Sequence, residues 1–166
     1  MICRGRVWKY GNNVDTDVIL PGRYCHMTDA KEFAPHTLED LDPSFAKEVK
    51  PGDVVVGGNN FGCGSSREVA PVGIKTVGVS CVVAHSFARI FFRNCINIGL
   101  PIVESPEFCE RCAKGDEVEI DLGKGELRNR TNGFTARSHP YPPEIRAIIE
   151  AGGLMNYIRK TKLSQS

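Results

Sequence analysis

Apolar and polar positions along this chain follow two alternating periods. Short β-branched runs at "GRVWKYG" (5–11), "DVVVGG" (53–58), "VSCVVAHS" (79–86), "LPIVES" (100–105) and "DEVEIDL" (116–122) predict strands. Turn signals at Pro51-Gly52 and Lys114-Gly115-Asp116 precede two of them. Between the strands lie helical stripes: 29–48 in short pieces broken by Pro35 and Pro43, then 66–77, 86–98 and a C-terminal helix over about 142–160. In the last of these Pro142-Pro143 supplies the start, while Ile145, Ile148, Ile149, Leu154 and Ile158 form an apolar face and Gly152-Gly153 a weak middle. Strands alternating with helices predict an α/β domain. The strongly apolar runs at 53–58 and 79–84 are expected at the centre of the sheet, covered on both faces.

Length and composition narrow this picture. At 166 residues, with no internal repeat and no Ser/Gly linker, residues 1–166 are expected to form a single domain. Lys plus Arg number 21 and Asp plus Glu 20, so no net field draws in nucleic acid or an anionic membrane, and any bound anion must be held locally. The N-terminus carries Arg4, Arg6 and Lys9 without a secretory apolar core, and no run reaches membrane-spanning length. Seven cysteines, at 3, 25, 63, 81, 95, 109 and 112, are an odd number and read as reduced thiols of a cytoplasmic protein.

The stretch "NNFGCGSSREVAPVGIK" (59–75) is where chemistry concentrates. It is not a P-loop, because no lysine precedes Ser65, nor a dinucleotide fingerprint, because Arg67 stands where a third glycine is required. Neither serine sits in the Gly-x-Ser-x-Gly of a nucleophile elbow. What remains is a strand, a glycine-containing loop and a helix start with Ser65-Ser66-Arg67-Glu68 in its first turn. Helix-end amides and the planar fork of Arg67 would suit a carboxylate. Ser65 and Glu68 also have the spacing of a capping box, in which both side chains only satisfy helix-end donors. On this segment alone plain capping is the favoured reading, with one serine left free for chemistry.

Other segments carry weaker signals. "DTDVILPGRY" (15–24) reads as a solvated turn or as a second wall of a site. "AHSFARIFFRNC" (84–95) contains His85, Arg89 and Arg93, and the arginines are expected to be structural. Cys109 and Cys112 form a Cys-x-x-Cys pair, but a zinc or iron–sulfur site needs further ligands at suitable spacing and none follows.

Taken in order, "DTDVILPGRY", "GGNNFGCGSSRE", "HSFARIFFRNCINIGLP" and "GDEVEIDL" resemble the small subunits of 3-isopropylmalate dehydratase and related members of the aconitase superfamily, from Cys3 to about Lys160. The resemblance implies a three-layer β/β/α swivelling domain with a mixed sheet and flanking helices. It implies a hydro-lyase small subunit, active only with a large subunit that carries a 4Fe–4S cluster, acting on a 2-hydroxy di- or tricarboxylate. No cofactor or metal is expected on this chain, and a homo-oligomer of the isolated chain is left open.

Carried over by position, Ser65 is implied as the base, Ser66 and Arg67 as substrate-holding groups, and Asp17 as an acid that assists orientation. Two departures stand out. Val69 occupies a position that is often histidine in the family, a change of packing within a helix. The substrate-reading loop is Cys25-His26-Met27-Thr28, which matches neither an isopropylmalate nor a homoaconitate pattern. The implied substrate is 3-isopropylmalate in leucine biosynthesis. Homoaconitase, citraconate/citramalate and 2,3-dimethylmalate types, and a non-catalytic carboxylate-binding module, are the alternatives.

Overall fold

The computed structural model describes residues 1–165. A seven-stranded sheet has the order β4-β3-β2-β1-β5-β6-β7, where β1 is Ile2–Lys9, β2 Val54–Val56, β3 Cys81–Ala84 and β4 Ile102–Glu104. The remaining strands are β5 Glu117–Asp121, β6 Glu126–Asn129 and β7 Thr135–Arg137. The half from β4 to β1 is parallel, and the half from β1 to β7 is antiparallel.

The two halves meet within β1. Its first residues pair with β5, from Ile2 opposite Asp121 to Arg6 opposite Glu117, whereas Val7 to Lys9 pair with β2. This split folds the antiparallel ribbon over one face of the parallel half. At the fold Gly5 lies against the Gly52 carbonyl, where a Cβ would come within 2.1 Å of the oxygen.

The valine runs then separate two cores by strand alternation. Val54, Val56, Cys81 and Val83 pack against Val118, Ile120 and Leu127 of the ribbon. Val55, Val82 and Ala84 face the helices, where α4 (Val69–Thr76) contributes Ile74, α5 (Arg89–Ile98) contributes Phe91 and Cys95, and a later helix contributes Ile149. Strand ribbon, parallel sheet and helices form the expected β/β/α layers around a mixed sheet.

Three boundaries differ from expectation. The helix expected from 66 begins at Val69, and the one expected from 86 begins at Arg89. The C-terminal helix divides into Pro143–Glu150 and Leu154–Ser164, because Gly152 and Gly153 both turn through positive φ. Strands β6 and β7 and the short helices Thr16–Ile19 and Pro106–Glu110 were not signalled by periodicity. The 29–48 region does break as expected, into Ala30–Phe33, a 3-10 turn over Ala34–His36, and Phe45–Glu48.

Candidate active site

The candidate residues gather at the C-terminal ends of the parallel strands, the edge at which open α/β sheets hold ligands. Beyond β1 and β2 the chain continues pairing in fragments. The Gly62 amide donates to the Val14 carbonyl and the Thr16 amide to the Cys63 carbonyl, both at 2.8 Å. These bonds bring 14–17 alongside 62–65, although 47 to 49 residues separate their paired groups in sequence. Gly64 has φ +96°, and a Cβ there would lie 2.6 Å from the Asp15 carboxylate, so this turn excludes side chains. Asp15 in turn caps Thr16–Ile19 by accepting from the Asp17 amide at 2.7 Å.

The capping-box reading is overturned. Glu68, not Ser65, is the N-cap residue of α4, and it makes no side-chain cap bond. Residues 64–67 lie ahead of the helix, and Ser65 and Ser66 are exposed. Ser65 Oγ lies 3.2 Å from Thr16 Oγ1, and Thr16 Oγ1 donates to the Ser65 carbonyl at 3.3 Å. With its hydrogen committed to that carbonyl, the Thr16 hydroxyl accepts from Ser65 Oγ. Thr16 is 1% exposed, so a buried side chain fixes an exposed hydroxyl. The Ser66 carbonyl accepts from Asn94 Nδ2 at 3.5 Å.

Arg67 is aimed from two sides. Its Nη1 donates to the Leu20 carbonyl at 3.2 Å and pairs with the Asp17 carboxylate. Its Nη2 lies over Gly22, where a Cβ would be 3.2 Å away. Asp17 therefore orients the guanidinium, and the outer donors remain for a ligand. Cys63, beside Asp15, has its thiol pushed above the ordinary range, first by burial and then by the Asp15 charge. The raised thiol is protonated at neutral pH, which disfavours a nucleophilic role.

The 25–28 loop springs from an anchored root. Arg23 pairs with Asp40 at 2.6 Å and Glu39 at 3.3 Å, and lies over the Tyr24 ring, which stacks on His36 with centroids 3.8 Å apart. That hydrogen bond from Arg23 holds Asp40 below the usual carboxylate range. Beyond the root, Cys25 and Met27 are half-buried, and His26 and Thr28 are exposed. Cys25 Sγ contacts the Pro21 carbonyl at 3.7 Å.

Cys109 and Cys112 lie apart from this cluster. Both are buried, with thiols pushed up to about 12 and about 11, chiefly by burial. Their carbonyls accept from Lys9 Nζ at 2.7 and 2.6 Å, which ties the end of Pro106–Glu110 to β1. Among the described residues no three His, Cys, Asp or Glu side chains gather as metal ligands.

Sequence reasoning missed Thr16 as a partner of Ser65. Its position between two aspartates reads as a polar turn, and only the long-range pairing buries it. The structural role expected of Arg89 and Arg93 finds no bond to support it. Neither guanidinium makes a hydrogen bond or ion pair among the described residues, and both side chains border a cleft that also contains Ser65.

The chain is similar to known proteins along nearly its whole length. The profile of the aconitase C-terminal domain matches residues 13–107. The isopropylmalate/citramalate isomerase small subunit of Methanocaldococcus jannaschii is 53% identical over 99% of this chain and 98% of its own length. The 3-isopropylmalate dehydratase small subunit of Moorella thermoacetica is 56% identical, with 99% of each chain covered. The crystal structure of 3-isopropylmalate dehydratase from M. jannaschii superimposes with a TM-score of 0.93 at 47% identity, over 99% of this chain and 98% of that one.

Proposed function

The chain belongs to the family of 3-isopropylmalate dehydratase small subunits, swivelling domains of the aconitase superfamily, and from that premise we propose that it interconverts 3- and 2-isopropylmalate in leucine biosynthesis as one half of a cytoplasmic hydro-lyase. The observation that carries this reading is Ser65: exposed, released from any capping duty, and held by buried Thr16 two residues from the oriented Arg67 fork.

In the proposed chemistry Arg67 and Ser66 hold a carboxylate, and Ser65, having passed its hydroxyl proton to solvent, acts as the alkoxide that takes the proton from the adjacent carbon and so returns to the hydroxyl. The electron pair of that C–H bond forms the alkene as hydroxide leaves the neighbouring carbon. Rehydration with the opposite orientation gives the isomer. A serine hydroxyl is a weak base, and nearby cations and backbone donors stabilise its charged form.

This chain's own donors do not fit an iron–sulfur cluster, since the Cys109 and Cys112 thiols are buried and no further ligand gathers beside them among the described residues. The cluster is expected on a large partner subunit, where it supplies Lewis-acid chemistry to the departing hydroxyl.

The substrate arm would lie against Cys25 and Met27, which offer apolar contact, with His26 exposed beside them. A panel of 3-isopropylmalate, citramalate, homoaconitate and 2,3-dimethylmalate, assayed on the chain assembled with a cluster-bearing large subunit, tests this. Isopropylmalate is expected to lead in kcat/KM by roughly tenfold or more, the scale set by a few methylenes in an apolar pocket. Citramalate is expected second, as the name of the M. jannaschii relative includes it. A preference for homoaconitate would contradict the loop assignment.

A further inference from the structure

One buried hydroxyl beside the proposed base has a single hydrogen and two acceptors within reach. Thr16 is 1% exposed, and its Oγ1 lies 3.3 Å from the Ser65 carbonyl and 3.2 Å from Ser65 Oγ. Among the described residues Thr16 Oγ1 makes no other hydrogen bond. Both acceptors belong to one residue, so the hydrogen can pass from one to the other by rotation about the Cβ–Oγ1 bond, with no heavy atom displaced.

The backbone fixes this hydroxyl from both directions. The Thr16 amide donates to the Cys63 carbonyl at 2.8 Å, which ties Thr16 to the loop that carries Ser65. The Thr16 carbonyl accepts from the Leu20 amide at 2.9 Å and closes the turn Thr16–Ile19, which Asp15 caps. A β-branched side chain has few rotamers, and burial removes water as a competing partner. A hydroxyl buried to this degree is costly unless it is bonded, and its bonds go to Ser65 alone.

We propose that Thr16 is a positioning residue that turns its hydrogen from the Ser65 carbonyl to Ser65 Oγ when Ser65 ionises. The inference rests on the reading of Ser65 as the base and deepens it. With Ser65 protonated, Thr16 donates to the carbonyl and accepts from the Ser65 hydroxyl. Once that proton has gone to solvent, the rotated Thr16 hydroxyl donates to the alkoxide, and it turns back when the alkoxide takes the proton from carbon. Thr16 keeps its own proton throughout, and no bond of Thr16 breaks. A hydrogen bond to a charged acceptor is about twice as strong as one to a neutral acceptor, so the rotation favours the ionised base. The charged and titratable groups around Ser65 are Cys63 and Arg67 on its own loop, Asp15 and Asp17 on the facing segment, and Arg89 and Arg93 in the cleft that Ser65 also lines. Thr16 differs from all of them in supplying a donor without a charge.

The test uses the chain assembled with its large subunit and 3-isopropylmalate as probe. Thr16→Val, close in shape but without the hydroxyl, is expected to lower kcat about tenfold to a hundredfold with KM within about threefold, the scale of one charge-assisted hydrogen bond. The acid limb of its kcat profile should move up by about one to two pH units, because the ionised base has lost a donor. Thr16→Ser keeps the hydroxyl and is expected to hold kcat within about threefold of wild type, with the limb in its original place. Thr16→Ala should match Thr16→Val, and it replaces that variant if circular dichroism shows the valine chain unfolded. In a Ser65→Ala background Thr16→Val should cost nothing further, since the two hydroxyls act as a unit. An unmoved acid limb in the hydroxyl-free variants would overturn the proposal, as would a serine variant as impaired as the valine one or an additive loss in the double variant. Wild-type activity of Ser65→Ala alone would instead reject the base reading on which the proposal rests.

Discussion

Ser65→Ala, assembled with the large subunit, is expected to lose about three orders of magnitude in kcat with KM within a factor of about three. General-base removal costs 10²–10⁴ in rate, and the hydroxyl is assigned to proton transfer rather than to holding the substrate. The same substitution should leave stability within about 0.5 kcal/mol, as for surface positions without a special role. That second half is decisive, because a capping serine would behave differently. Replacing an N-cap by alanine costs about 1 kcal/mol and would lower the melting temperature. In this protein Glu68 occupies the N-cap of α4, and Ser65 lies ahead of the helix with its Oγ on Thr16. Steady-state kinetics and thermal melting of one variant therefore separate a base from a cap.

Arg67→Lys is expected to lower kcat/KM by about a hundredfold, although the charge is kept. The guanidinium serves the Leu20 carbonyl and the Asp17 carboxylate through one nitrogen and still presents its outer donors. A lysine ammonium can approach Asp17 but cannot hold that partner, the carbonyl and a ligand carboxylate in one plane. Loss of charge-assisted hydrogen bonds of about 1.5–3 kcal/mol corresponds to roughly 10- to 150-fold. Most of the loss should fall on KM if Arg67 only holds substrate, and should spread to kcat if it also sets the reacting carbon against Ser65. Retention of wild-type kcat/KM by the lysine variant would remove the carboxylate-clamp role.

The parts of this molecule that were readable before folding are those whose signal is local. Val54-Val55-Val56 and the run at Cys81–Ala84 announce buried central strands because both faces of each strand meet a core, one under the helices and one under the ribbon. The ribbon itself was half hidden. β6 carries one buried apolar residue, Leu127, beside Asn129, which is fully buried yet polar because its amide donates to the Arg111 carbonyl and the Asp116 carboxylate. In β7 only Ala136 packs inward. Strands with a single apolar contact leave no period to read.

The site divides in the same way. Ser65, Arg67 and Asp17 were singled out through the resemblance of "DTDVILPGRY" and "NFGCGSSRE", whereas the ion pair between Asp17 and Arg67 could not be read from spacing. The capping-box spacing of Ser65 and Glu68 was satisfied in sequence but not in space, because the turn at Gly64 delays the helix to Val69. Thr16 meets Ser65 only because the chain returns from a distance. No local pattern distinguishes a buried threonine that holds the Ser65 hydroxyl from one in a solvated turn.

This chain is proposed to form one half of a hydro-lyase site whose base is Ser65. The most direct measurement is isopropylmalate interconversion by the purified chain alone, by a cluster-bearing large subunit alone, and by the two mixed in increasing ratio. Activity is predicted only in the mixture, rising to a plateau at a fixed subunit ratio and lost when Ser65→Ala replaces the wild-type chain. Turnover by the isolated chain, or full activity of the mixture containing Ser65→Ala, would contradict it.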